Sequence, residues 1–308
     1  MPTEPARAAR RGRGEPIDGV LLLDKPPGMT SNAALQAAKR LLAAAKAGHT
    51  GTLDPLASGL LPLCFGEATK LSGYLLDADK AYTARVALGA RTTTGDAEGE
   101  VVETRPVAVD AAKLEAALAR FRGRIEQVPP MHSALKRDGR PLYDYARAGV
   151  DVPREPRAVT IASLEWRDLA PDGVTLDVVC SKGTYIRVLA EDLGAALGCG
   201  AHLAALRRTG VGPFDIAGSV TLDALAALPL PARRAALLPA DSLVAALPAV
   251  ELEAGGAAAF RHGQPIPGAA TGTGSRRVYC GGRLLGVGEA GGDGVLRPRR
   301  VLLLDGAG

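Results

Sequence analysis

Residues 48–66 read GHTGTLDPLASGLLPLCFG. One carboxylate, Asp54, stands there in a run of small and turn-forming residues. Gly48, Gly51 and Gly59 admit backbone angles or close approaches that a side chain forbids. Pro55 fixes its own φ and biases Asp54 away from helical angles. Upstream, Thr30 and Ser31 offer helix caps, and Leu35, Leu41 and Leu42 recur at helical spacing within 33–46. Downstream, LLPLCFG is apolar enough to be buried. An aspartate in such a loop either caps a turn with its side chain or, held between two packed elements, serves as a reacting group.

Outward from this loop, IDGVLLL at 17–23 predicts a strand that DKPPG breaks at 24–28, with Lys25 at the turn. Residues 70–79 read as helical. KAYTARVAL at 80–88 alternates, with Tyr82, Ala84, Val86 and Leu88 on one face. A polar, glycine-punctuated connection follows at 89–100, then a helix from about Asp110 to Arg120. Residues 121–149 differ in character: Arg122, Arg124, Lys136, Arg137, Arg140 and Arg147 outnumber the acids, and His132, Tyr143 and Tyr145 lie among them. Cations beside flat rings suit an RNA backbone and unstacked bases, so Arg137 and Arg140 are candidate RNA contacts. Strands are expected over 159–169, with Trp166 packing, and over 174–180.

The block SKGTYIRVLAEDLGAALGCG at 181–200 predicts a helix from about Tyr185, with Ile186, Leu189, Leu193 and Leu197 on one stripe. Arg187 falls off that stripe in the first turn. The positive end of a helix disfavours a cation, so a specific carboxylate should compensate it. Arg207 and Arg208, on a strand beginning near 201, are candidates for phosphate contact. Two short helices and a junction occupy 219–246. Beyond 248, short strands at 276–280, 283–290 and 299–304 between glycine-rich turns suit a small barrel.

Over 308 residues the formal charge of +4 permits a nucleic-acid partner without demanding one. The four cysteines are scattered without metal-ligand spacing and read as thiols of a reducing cytosol. No apolar run reaches membrane-spanning length, and the arginine-rich start lacks the apolar core of a signal peptide.

Three blocks together resemble the bacterial tRNA pseudouridine synthases of the TruB family: GVLLLDKPPG with Thr30 and Ser31, GHTGTLDP with Ala57-Ser58-Gly59 and Leu61-Pro62, and SKGTYIR with the segment to Phe214. The resemblance implies the pseudouridine synthase α/β (α+β) fold: a mixed, mostly antiparallel sheet with helices around it and a cleft across its middle. It also implies a small C-terminal PUA-like β-barrel. The expected division is a flexible basic arm at 1–15, a catalytic domain at 16–246 with an RNA-gripping insertion near 121–149, and an RNA-binding domain at 247–308.

The implied reaction isomerises uridine 55 in the TΨC loop of tRNA to pseudouridine, with no cofactor and no metal. By this resemblance Asp54 is the catalytic carboxylate, Arg187 its ion-pair partner, and Tyr82 the ring that stacks on the flipped base. His49 helps displace that base, Tyr185, Ile186 and Leu206 line the pocket, and Lys25 supports its floor. A cytoplasmic monomer without an obligate protein partner is expected. Alternatives are a guide-RNA-dependent synthase, a tRNA-folding chaperone and a structural RNA-binding module; the last leaves the GTLDP loop unexplained.

Overall fold

The computed structural model describes residues 14–133, 135–269 and 271–304. Among these residues the larger sheet has ten strands. Its main path runs Val220–Thr221, Gly19–Lys25, Ser58–Phe65, Ala201–Val211, Lys80–Leu88, Gly173–Cys180, Arg157–Ala170 and Gly123–Gln127. Gly19–Lys25 pairs with Val220–Thr221 in parallel, as does Ser58–Phe65 with Ala201–Val211. The other neighbours on the path are antiparallel, which is the mixed sheet that the resemblance implied.

Two kinds of strand carry this sheet. Lys80–Leu88 alternates because one face is packed: Ala84, Val86 and Leu88 join Leu176, Leu203, Leu189 and Leu193 in one core. Ser58–Phe65 shows no period, since nearly every residue is buried. Leu61, Leu63 and Phe65 pack toward Leu35, Ala38 and Leu42, while Leu60 and Cys64 pack toward Leu71, Val211 and Leu243. Both faces of this strand are covered, so its sequence reads as a continuous apolar run.

The helix Ser31–Leu41 begins at Thr30, whose hydroxyl accepts from the Ala33 amide at 3.1 Å. It stops short of residue 46 because Ala43 takes a left-handed φ of 53°. The chain then turns into the edge strand Ala47–His49, which pairs with Ser58–Phe65. In place of the helix expected over 70–79, the chain ends a 3₁₀ segment, Gly66–Leu71, and makes a single α-turn, Gly73–Leu76. Lys80 closes that turn by donating to the carbonyls of Leu75, Leu76 and Ala78.

Within the basic stretch, Gly123–Gln127 is the edge strand of the large sheet. The chain beyond it forms the short Lys136–Arg137/Arg140–Pro141 hairpin and the helix Leu142–Arg147, anchored by buried Leu142. The strand beside it spans Arg157–Ala170, and Trp166 packs there while its indole donates to Glu115.

The C-terminal sheet orders Ala249–Glu251, Gly274–Cys280, Arg283–Ala290, Val295–Val301 and Ile266–Pro267, with Phe260 of the helix Ala254–Arg261 in its core. Its last long strand begins at Val295 rather than near 299, because the turn at Gly291–Gly294 brings Ala290 opposite Leu296. Gly286, at φ 145°, lets the neighbouring strand in; a Cβ there would lie 1.9 Å from the Arg300 carbonyl oxygen. Leu284 and Val287 of this sheet, with Leu302 just past its last long strand, share a core with Leu60 and Val211 of the large sheet and Leu71 of the 3₁₀ segment. Most of the basic arm, residues 1–13, lies outside the described residues. Glu15 at its end is tied down, its amide donating to the Ala43 carbonyl at 2.7 Å and its carboxylate pairing with Arg234.

Candidate active site

The loop carrying Asp54 is fixed by backbone bonds on both sides. One hydroxyl, Ser31 Oγ, donates to the Leu53 carbonyl at 3.0 Å and accepts from the Leu53 amide at 2.8 Å. The Ala57 amide donates to the Asp54 carbonyl at 3.1 Å, and the Gly28 amide to the Pro55 carbonyl at 2.8 Å. Gly59 ends the loop at φ 101°, where a Cβ would lie 2.3 Å from the Arg208 carbonyl oxygen. This close approach joins the loop's exit to the strand Ala201–Val211. Among the described residues the Asp54 carboxylate caps no backbone amide. It projects into a cleft, about half exposed, and meets Arg187 Nη2 at 3.0 Å.

Arg187 is 6% exposed and makes four polar contacts. Besides Asp54, its Nε lies 3.6 Å from Asp96 Oδ2, Nη1 donates to the Thr94 carbonyl at 3.3 Å, and Nη2 donates to the His132 carbonyl at 2.7 Å. The compensating carboxylate expected for this cation is thus two carboxylates. Asp96 was not a candidate from sequence, where 89–100 reads only as a polar connection. It is buried, and its Oδ1 accepts from Thr94 Oγ1 at 2.6 Å and from the Glu98 amide at 3.1 Å. Losing one partner of a buried charge costs about 3–5 kcal/mol, so Asp96 and Arg187 stand or fall together. The start of the Ile186–Leu197 helix is set by Gln127, also missed: its Oε1 accepts from the Tyr185 amide at 3.0 Å.

The Asp54–Arg187 pair separates two cavities. One, about 270 Å³, is walled by Tyr82, Tyr185, Ile186 and Leu206. The other, about 510 Å³, is bordered by His49, Asp96, His132, Tyr143 and Arg147. Burial raises the pKa of the Tyr82 and Tyr185 phenols. His49 is half-buried; burial lowers its pKa, Arg208 adds to the effect, and its Nδ1 has no partner among the described residues. Lys25 is fully buried beneath the cleft, its ammonium donating to the carbonyls of Pro26 at 2.8 Å and Met29 at 2.7 Å. Burial pulls its pKa down to about 8 against the opposing field of Asp54.

The two adjacent arginines separate. Arg207 is half-exposed and pairs with both oxygens of Asp24, at 3.1 and 2.7 Å. Arg208 corrects the expectation of phosphate contact: it is 1% exposed, with Nε donating to the Leu60 carbonyl at 2.7 Å and Nη2 to the Gly51 carbonyl at 3.3 Å. Alternation along the strand sends one arginine outward and its neighbour inward. Arg137 and Arg140 are exposed; Arg137 donates to the Pro153 carbonyl at 2.6 Å, and Arg140 lies 4.9 Å from the Tyr145 ring centroid. Among the described residues no group of His, Cys, Asp and Glu has a metal-binding arrangement. Burial pushes the thiols of Cys64 up to about 12 and Cys180 up to about 11, which makes them poor nucleophiles.

Comparison with known proteins accords with this geometry. Residues 39–186 match the model for the TruB family pseudouridylate synthase N-terminal domain. Residues 187–245 match the tRNA pseudouridylate synthase B C-terminal domain, and 248–302 the C-terminal model of pseudouridine synthase II TruB. A curated relative from Azoarcus sp. (strain BH72), called tRNA pseudouridine synthase B, is 61% identical over 93% of this chain and 95% of its own length. The chain belongs to the TruB family.

A relative of the same name from Burkholderia mallei (strain ATCC 23344) is 60% identical over 96% of both chains. Among solved structures, a crystal structure of a Cbf5-Nop10-Gar1 complex contains a chain with TM-score 0.73 and 29% identity, covering 93% of this chain and 85% of that one. An archaeal box H/ACA sRNP Nop10-Cbf5 complex gives 0.71 and 28%, with 93% and 86% coverage. The TruB-family chain therefore has the pseudouridine synthase fold, with a C-terminal sheet consistent with a PUA-like domain.

The buried Lys25 yields a test with a defined sign. Its folded pKa, about 8, lies below the ordinary lysine value, so the unfolded chain binds more protons between the two. Stability from this group must then rise with pH across that window. In urea unfolding, wild type should gain stability relative to Lys25→Met between pH 8 and 10. A difference that is flat with pH would show that Lys25 carries its full charge throughout.

Proposed function

We propose that Asp54 is the carboxylate through which this TruB-family enzyme isomerises uridine 55 of the tRNA TΨC loop to pseudouridine. The observation that supports this most is the Asp54–Arg187 pair, at 3.0 Å, on the mouth of a pocket walled by Tyr82, Ile186 and Leu206. The substrate follows from the relatives' name, tRNA pseudouridine synthase B, at about 60% identity over nearly the whole chain.

A uridine in a folded arm must leave its stack before a carboxylate can reach it. The wider cavity beside His49 and Tyr143 offers the way in, and His49 takes the space the base vacates. The Tyr82 ring then supports the uracil, with Tyr185, Ile186 and Leu206 excluding water. Arg187 aims the Asp54 carboxylate at the ribose–base junction, and Lys25 braces the floor through carbonyl contacts. The product is an isomer, so the reaction consumes neither energy nor a redox carrier.

The remaining chain serves RNA binding in this reading. The insertion within 121–149 holds the tRNA through Arg137 and Arg140, and Arg207 adds a contact by exchanging Asp24 for a phosphate. Residues 247–308 form a PUA-like RNA-binding domain, with exposed Arg299 and Arg300 available to the arm, and residues 1–15 a basic extension. The enzyme acts as a cytoplasmic monomer without an obligate protein partner. Relatives named tRNA pseudouridine synthase B that cover up to 96% of this chain support a tRNA substrate over a guide-dependent assembly. Among the described residues no helix is long and apolar enough to cross a membrane.

Tritium release from tRNA labelled at uracil C5 tests the assignment. Asp54→Asn should lower turnover more than about 10³-fold, ~4 kcal/mol of barrier, while tRNA affinity stays within a few-fold. Turnover near the wild-type rate would remove Asp54 from the reaction. For the insertion, Arg137→Gln with Arg140→Gln should flatten the slope of log affinity against log salt by about 1.4–1.8. An unchanged slope would place both side chains away from phosphate.

A further inference from the structure

Lys25, Lys80 and Arg208 are 0, 9 and 1% exposed, and none lies within ion-pair distance of a carboxylate among the described residues. Their hydrogen bonds go to carbonyls: Pro26 and Met29 for Lys25; Leu75, Leu76 and Ala78 for Lys80; Leu60 and Gly51 for Arg208. Carbonyl dipoles satisfy donors, yet they do not cancel a whole charge taken out of water. The cations also oppose one another, since the field of Arg208 disfavours the charged forms of Lys25, Lys80 and His49. The acids in range are remote or engaged: Asp54 and Glu98 act on Lys25, Asp77 and Asp79 on Lys80, and Asp77 is paired with Lys182. Toward Arg208 the facing ionisable group is the Tyr82 hydroxyl.

Lys80 and Arg208 both line the same cavity as Asp54 and Tyr82. A pocket that concentrates unneutralised positive charge is complementary to a negative occupant, whereas uracil within a nucleotide is neutral. The base becomes negative when its bond to the ribose breaks. We propose that Lys80 and Arg208 form an electrostatic wall that stabilises the detached uracil as an anion, and this rests on the Asp54 cleft being the reaction site.

In that step the C1′–N1 bond breaks and its electron pair leaves with N1, spreading over O2 and O4. Asp54 compensates the ribose, either by bonding to C1′ or by taking the neighbouring 2′ proton. After the base turns, an electron pair at C5 forms the bond to C1′ and Asp54 returns to its starting state. The C5 proton is lost and N1 gains one, so the product balances as an isomer. The wall acts while the base is free, and its charge is neutralised only then. Stabilisation confined to that state lowers the barrier without tightening ground-state binding.

The test varies the leaving group. Fluorine at C5 withdraws electrons and makes the departing base a weaker base, so it needs the wall less. Single-turnover cleavage of the target nucleoside is compared for tRNA transcripts carrying uridine or 5-fluorouridine, with wild type, Lys80→Gln, Arg208→Gln and Arg208→Lys. On uridine the two glutamine variants should lose about 10²-fold, on 5-fluorouridine at least several-fold less, with tRNA affinity held; Arg208→Lys should retain most of the rate. Equal losses on both substrates, or a loss residing in affinity, would overturn the inference and leave both residues as scaffolding. If Arg208→Gln fails to fold, as circular dichroism would show, Lys80→Gln decides. Wild type that cleaves neither tRNA overturns the assignment of the cleft and this inference with it, whereas wild-type cleavage with equal losses overturns this inference alone.

Discussion

Arg187 joins parts of the chain that are distant in sequence. From the first turn of its helix the guanidinium reaches Asp54 on its glycine-rich loop, Thr94 and Asp96 on the connection after Lys80–Leu88, and His132 on the basic insertion. A buried cation tolerates few arrangements, so this contact set fixes where those segments stand. Ser31 and the close approach at Gly59 complete the constraint from the other side of the loop. Asp54 is consequently half-exposed but held on rigid backbone, which suits a group that must meet a substrate atom at a set distance.

The electrostatics of the cleft divide along the same pair. Arg187 has two carboxylate neighbours, whereas Lys25, Lys80 and Arg208 rely on carbonyls. Around the cavity beside Asp54, then, the fold retains charge that it could have neutralised. Such placement costs stability in the folded chain, and in the proposed reaction the negative charge of the detached base offsets that cost. The phenol of Tyr82, whose pKa is raised by burial, shares this space and provides a flat surface beside the cations.

Much of this was legible in the sequence where one physical pattern dominated. Lys80–Leu88 alternates because one face is packed, the Thr30 cap marks a helix start, and the stripe of Ile186, Leu189, Leu193 and Leu197 is the buried face of its helix. The place of Arg187 in the first turn, at the positive end of its helix, called for a compensating carboxylate, and Asp54 and Asp96 both stand there. Period gave nothing for Ser58–Phe65, which is covered on both faces. Asp96 was illegible because burial of a polar turn depends on partners distant in sequence, the Arg187 guanidinium and the backbone of Leu203, which bonds to Gly95 and Ala97. Arg208 was misread as an outward cation, since composition cannot say which of two adjacent arginines on a strand points inward. The helix expected over 70–79 gave way where the 3₁₀ segment passes into a single turn that Lys80 ends, and the last strand shifted to Val295 because a glycine turn set its register.

The proposed reaction depends on where the target nucleotide comes to rest. The most direct measurement is a crystal structure of Asp54→Asn bound to an RNA stem-loop carrying the TΨC-loop uridine. The expected result is that uridine rotated out of its stack, with its base against Tyr82 between Ile186 and Leu206 and its C1′ about 3–3.5 Å from the residue 54 side chain. A base still stacked in the RNA, or lodged beside His49 and Tyr143 with C1′ beyond reach of residue 54, would contradict it.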